Sequence, residues 1–75
     1  MGNWKKTYEA VMSGDSDANI AFGDLSVMLQ RLGYSYRQTG SHLIFTKSGC
    51  EIITIQNVSG KAKSYQVRQI REKLT

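Results

Sequence analysis

The sequence predicts an α+β domain: a helix, three antiparallel strands and a closing helix, with one extra helix in front. Three observations carry that expectation. Apolar residues recur at helical spacing up to Leu32. Beyond Gly33 their period shortens from about 3.6 to about 2. From Ser64 the helical spacing returns.

Trp4, Tyr8, Val11 and Met12 fall on one face of a leading helix over Asn3–Met12, which Ser13-Gly14-Asp15-Ser16-Asp17 then breaks. Ile20 and Phe22 alternate in a brief extended stretch. In the next helix Gly23 is the expected N-cap, and Asp24 lies where a carboxylate favours the positive helix end. Phe22 and Val27 hold staple positions across that cap. Leu25, Met28, Leu29 and Leu32 make one core stripe, and Gly33 supplies the left-handed stop. Tyr34–Gln38 then reads as a strand, Thr39-Gly40 as a turn and His42–Lys47 as a second strand. Ser48-Gly49 turns the chain into a third strand, Cys50–Gln56, rich in β-branched residues. Asn57–Lys63 reads as a polar loop, and Ser64 as the cap of a last helix facing inward through Val67, Ile70 and Leu74.

A three-stranded meander is not stable alone, so the two main helices are expected to cover one face of the sheet. Alternation then turns Leu43, Phe45, Ile53 and Ile55 toward the helices. His42, Ile44, Thr46, Ile52, Thr54 and Gln56 remain on an open face. This element order is that of double-stranded-RNA-binding domains, which read A-form RNA by shape and phosphate contacts.

Seventy-five residues imply one domain, with 1–19 as leading helix and linker and 20–75 as the core. A domain of this size is held by only about 3–5 kcal/mol. It has little room for an enclosed cofactor site, and no cofactor is expected. The single cysteine, Cys50, allows no internal disulfide and no Cys/His metal set. With no apolar run long enough for a signal peptide or a membrane span, the sequence reads as soluble and cytoplasmic. Met1-Gly2 lacks the Ser or Thr that a myristoylation signal wants, because Lys6 stands there.

The net charge is +4, and its placement is uneven. Up to Gln56, Lys5, Lys6, Arg31, Arg37 and Lys47 are balanced by Glu9, Asp15, Asp17, Asp24 and Glu51. Beyond it, Lys61, Lys63, Arg68, Arg71 and Lys73 face Glu72 alone. Such a patch fits a polyanionic partner or a solvated helix face, and charge alone does not choose between them.

Gly40-Ser41-His42, in a strand that follows a helix ending Leu32-Gly33-Tyr34, resembles the HicA family of bacterial toxins, marked by Gly-Ser-His at the start of the second strand. The run from Gly60 to Arg71 resembles the family's closing helix, and Ser13-Gly14-Asp15-Ser16-Asp17-Ala18-Asn19-Ile20 its lead-in. The likeness spans about Tyr8 to Leu74. It implies an endoribonuclease that cleaves mRNA and is held inactive by a HicB-type antitoxin protein, with the family's essential histidine at His42. Many members carry a second histidine where this chain has Leu43, and a Gly-Thr pair where it has Ser64-Tyr65.

His42 is the only histidine. Imidazole ordinarily titrates near pH ~6.5, so one such group can accept or donate a proton at neutrality. Taken without the resemblance, an ordinary strand histidine is the simpler reading; with it, catalysis is favoured. One of the two proton transfers in RNA cleavage stays open, with Tyr65, Lys61, Lys63 or water as candidates. No carboxylate cluster suggests a two-metal nuclease, so the expected cleavage is metal-independent and leaves a 2′,3′-cyclic phosphate. Lys61, Lys63 and Ser64, at the head of the last helix, form an expected phosphate site. Arg68 and Arg71 either extend that track or meet an acidic antitoxin. The rival readings are a non-catalytic RNA-binding module and a protein-interaction domain that docks through Ile44 and Ile52.

Overall fold

The structure, a computed structural model, describes residues 4–75. The Met1-Gly2 start and the expected helix start at Asn3 lie outside the described residues. The chain is α+β, with helices α1 (Trp4–Ser13), α2 (Phe22–Arg31) and α3 (Ser64–Leu74). The strands are β1 (Ser35–Thr39), β2 (His42–Thr46), β3 (Ile53–Val58) and β4 (Lys61–Ala62). A short 3-10 turn, Asp17–Asn19, follows α1. Among the described residues no helix is long and apolar enough to cross a membrane.

The sheet is antiparallel with order β1-β2-β3-β4, so it has four strands where three are expected. The extra strand comes from the segment read as a polar loop. Ser59 and Gly60 both take positive φ, 53° and 85°, as the central pair of a type I′ turn does. That turn folds Lys61 and Ala62 back onto Val58 and Asn57. The Asn57 side-chain oxygen accepts the Gly60 N–H at 2.8 Å and steadies it. Beyond β4 the expected extended stretch forms at Ile20 and Ala21, while Phe22 is already the first residue of α2. Ala62 N–H donates to Ile20 O and Phe22 N–H to Gly60 O, so Ile20–Phe22 covers the β4 edge.

The N-cap of α2 is Ala21 and not Gly23, and the otherwise unpartnered N–H of the first helical residue, Phe22, donates to Gly60 O. Val27 is 44% exposed, so the expected staple does not form. At the other end Gly33, with φ 101°, closes a Schellman motif: Tyr34 N–H bonds Leu29 O and Gly33 N–H bonds Gln30 O. This ties Tyr34 to the helix and delays β1 to Ser35. β3 likewise begins at Ile53 and not at Cys50, because the Cys50 N–H turns back to Lys47 O. For α3, Lys63 is the N-cap and Ser64 the first helical residue, and no side chain caps the helix.

The register fixes the two faces. Tyr36, Phe45 and Ile53 form one cross-strand row, and Gln38, Leu43 and Ile55 the next. Phe45, Ile53, Ile55 and Leu43 are buried beneath α2 and α3, in one core with Leu25, Met28, Leu29, Val67 and Ile70. Helix α1 packs on α2 and α3, adding the buried Val11 to that core. The helices thus cover one face, as expected, and the opposite face is left open. β1 lies at the uncovered edge, with all five residues exposed.

Candidate functional site

The β1–β2 connection is a two-residue turn, since Thr39 pairs with His42. Gly40 takes φ 61° and Ser41 does not follow it to positive φ, the pattern of a type II′ turn, whose first central position suits glycine. His42 is therefore the first residue of β2, directly after a tight turn. It is half-buried, on the open face, between Thr39 of β1 and Gln56 of β3. Ser41 falls on the opposite face from His42, so the two side chains do not form a nucleophile–base pair.

The same register carries Lys61 to this face. Val58 lies two residues beyond Gln56, on the same side, and pairs with Lys61. Lys63, two residues further along in extended backbone, continues the row to the uncapped head of α3. Lys61 Nζ reaches the Asn19 side-chain oxygen at 3.3 Å, and Lys63 Nζ lies 5.6 Å from the centre of the Tyr65 ring. Lys61 is exposed and Lys63 half-buried.

Arg37, which the sequence places only among the balanced charges, joins this face. It pairs with Ile44 and lies two residues before Thr39, so it occupies the open face diagonally from His42. The strand positions on this face carry Arg37 and Lys61 and no carboxylate. The signal was present in the alternation of Tyr34–Gln38, which puts Arg37 opposite to Tyr36.

The two arginines of α3 separate. Arg68 is exposed. Arg71 is instead a structural clamp: Nη1 and Nη2 meet Asp17 Oδ1 and Oδ2 at 2.8 and 3.0 Å, and Nη1 also donates to Val11 O at 2.9 Å. The Arg71 hydrogen bonds, aided by its charge, hold the Asp17 carboxyl below the usual carboxylate range. Arg71 therefore ties α3 to α1 and the 3-10 turn, and it leaves the track of free cations.

Where β4 ends, the next N–H on the edge of β3 needs a partner. The buried Gln66 supplies one, its Oε1 accepting the Gln56 N–H at 2.8 Å. This bond fixes α3 against the strand residue that flanks His42.

A cleft of about 400 Å³ opens at the same end of the sheet, on the helix-covered side. Phe22, Tyr36, Gln38, Leu43 and Asn57 line it, and His42 is on its border with the open face. Cys50 lies at the other end of the sheet, in the β2–β3 loop. Burial first, and then charge and hydrogen bonding at Cys50, raise the Tyr34 hydroxyl above its usual range there. No family model, no curated protein and no solved structure matches this chain.

Proposed function

We propose that the chain is a HicA-like toxin domain, a metal-independent endoribonuclease that cleaves mRNA with His42 and so inhibits translation. The observation that carries this reading is the register of the open face. It gathers the one histidine of the chain with Arg37 and Lys61, and leads on to Lys63 at an uncapped helix head. An RNA backbone lying across that face meets cations for its phosphates and an imidazole for proton transfer. The element order is also compatible with a double-stranded-RNA-binding-like fold, which the α-β-β-β-α core suggests.

In this reading the His42 imidazole takes the proton of a ribose 2′-OH. The freed oxygen attacks the adjacent phosphorus and the P–O5′ bond breaks. The departing 5′-oxygen takes a proton from water or from a second group, for which Lys61, Lys63 and Tyr65 are candidates. The products are a 2′,3′-cyclic phosphate and a 5′-hydroxyl. Arg37, Lys61 and Lys63 offset the charge that builds on the phosphate oxygens in the transition state. A HicB-type antitoxin would silence the enzyme by covering the open face, where Ile44 and the 57% exposed Ile52 offer apolar contact. The expected setting is the cytoplasm.

Purified protein incubated with a structured and an unstructured RNA in EDTA tests the reading. Fragments ending in a 2′,3′-cyclic phosphate are expected. Intact RNA in the presence of folded protein rejects the nuclease. If the RNA is intact yet bound in a salt-sensitive way, a non-catalytic RNA-binding module takes its place.

A further inference from the structure

We infer that the cleft beside His42 receives one unpaired nucleobase of the RNA, that of the nucleotide whose 2′-OH is activated. This rests on the RNA-cleaving reading of His42 and adds a base-recognition site to it. At about 400 Å³ the cleft is small. It still falls within the range of about 300–1,000 Å³ typical of sites that enclose small molecules. Two of its walls are aromatic. Phe22 stands at the head of α2, and Tyr36 projects from the exposed edge strand with its ring 5.4 Å from that of Phe45. Tyr36 is 49% exposed, so much of its ring is open to a stacking partner. Leu43 gives the cleft an apolar floor.

The polar groups are set by the turns. The Asn57 side-chain oxygen is occupied by the Gly60 N–H, which leaves the Asn57 amide NH₂ as a donor. The Gln38 Nε2 donates to Gly40 O at 3.1 Å, which leaves the Gln38 amide oxygen as an acceptor. A donor and an acceptor between π surfaces match the hydrogen-bonding edge and faces of a base. Single-stranded RNA is commonly read this way, with bases splayed out onto aromatic side chains. No carboxylate lines the cleft to repel the strand. Because Leu43 faces the cleft and His42 the open side, a nucleotide whose base enters the cleft has its ribose and 3′-phosphate passing His42.

An unstructured oligoribonucleotide, carrying an abasic nucleotide at each position in turn, tests the proposal. With wild-type protein, cleavage just 3′ of the abasic position is expected to fall by about 10-fold or more, with other phosphates unaffected. Gln38→Met and Tyr36→Ala should cut the intact RNA slowly and lose the sensitivity to the missing base. Cleavage that ignores abasic positions in wild-type protein overturns the base site and leaves the nuclease standing. If no RNA is cut, NMR titration with the four nucleoside 3′-monophosphates decides the base site separately. Shifts at Tyr36, Gln38 and Asn57 uphold it, and their absence overturns it.

Discussion

At Arg71 the guanidinium meets both carboxylate oxygens of Asp17 and the carbonyl of Val11, while the residues paired directly with His42, Thr39 and Gln56, are neutral. The two residues therefore make opposite demands on mutation. Asp17→Asn should lower Tm at neutral pH by a few degrees and leave RNA binding unchanged. The pH dependence follows from the direction of the shift. The Asp17 carboxyl is depressed in the folded state, so its contribution is present above the ordinary carboxylate pKa of about 4. It is lost as pH falls through the lower, folded value. Thermal melts between pH 7 and pH 2 should show a steeper acid decline for the wild type than for Asp17→Asn. Parallel declines would mean that the ion pair does not stabilise the fold. Neither partner of this pair was readable as such in the sequence, since 54 positions separate them and only the fold joins them.

The β3–β4 hairpin is the element on which the candidate site depends most. It turns Lys61 onto the face of His42 and brings α3 to the edge of β3. Gly60, at φ 85°, is held where a Cβ is costly. Gly60→Ala should therefore destabilise the domain by about 1–2 kcal/mol. Gln66→Leu strands the Gln56 N–H where β4 has ended, at a cost of about 1–3 kcal/mol. Both are checked by urea denaturation. A Gln66→Leu protein as stable as wild type would mean that water replaces the glutamine. Here the turn has a signature in the sequence, although a faint one. Val58-Ser59-Gly60-Lys61 has the Ser-Gly pair of a turn after a β-branched residue, but Asn57 through Lys63 is so polar that loop was the simpler assignment. The period-two alternation of β2 and β3, by contrast, reported the buried and open faces correctly. It does so because a sheet covered on one side sorts side chains by polarity and leaves a strong pattern. Boundaries were harder, since the Schellman bond at Tyr34 and the turn bond at Cys50 are backbone events with little side-chain signature.

Over the whole molecule, the cations divide into those held by the fold and those free to meet a polyanion. A single-stranded RNA that neutralises n such charges binds with a log–log salt slope of about −0.7n. With Arg37, Lys61 and Lys63 engaged, the slope should be close to about −2, and each of Arg37→Gln and Lys61→Gln should reduce its size by about 0.7. Arg71→Gln should leave the slope unchanged while lowering Tm. Fluorescence anisotropy with a labelled oligonucleotide across a salt series separates these cases. An equal loss of slope in Arg71→Gln would place the RNA along α3 instead of across the open face. The core sets a further limit at this scale. Phe45 is fully buried, and truncating such a residue costs about 3–5 kcal/mol, as much as a domain of this size has to lose. Substitutions that probe the site should therefore be kept to its exposed or half-buried side chains.

The central claim is that His42 performs the chemistry, and the most direct measurement is the rate of RNA cleavage by His42→Ala beside wild type. Both proteins are purified identically, matched in circular dichroism and Tm, and assayed in EDTA. The account predicts fragments from the wild type and at least a 100-fold slower reaction from the variant, within the usual scale of about 10²–10⁴ for a lost general acid–base group. RNA binding by the variant should be unchanged. Equal cleavage by the two proteins would contradict the account and move the search for the reacting group away from β2.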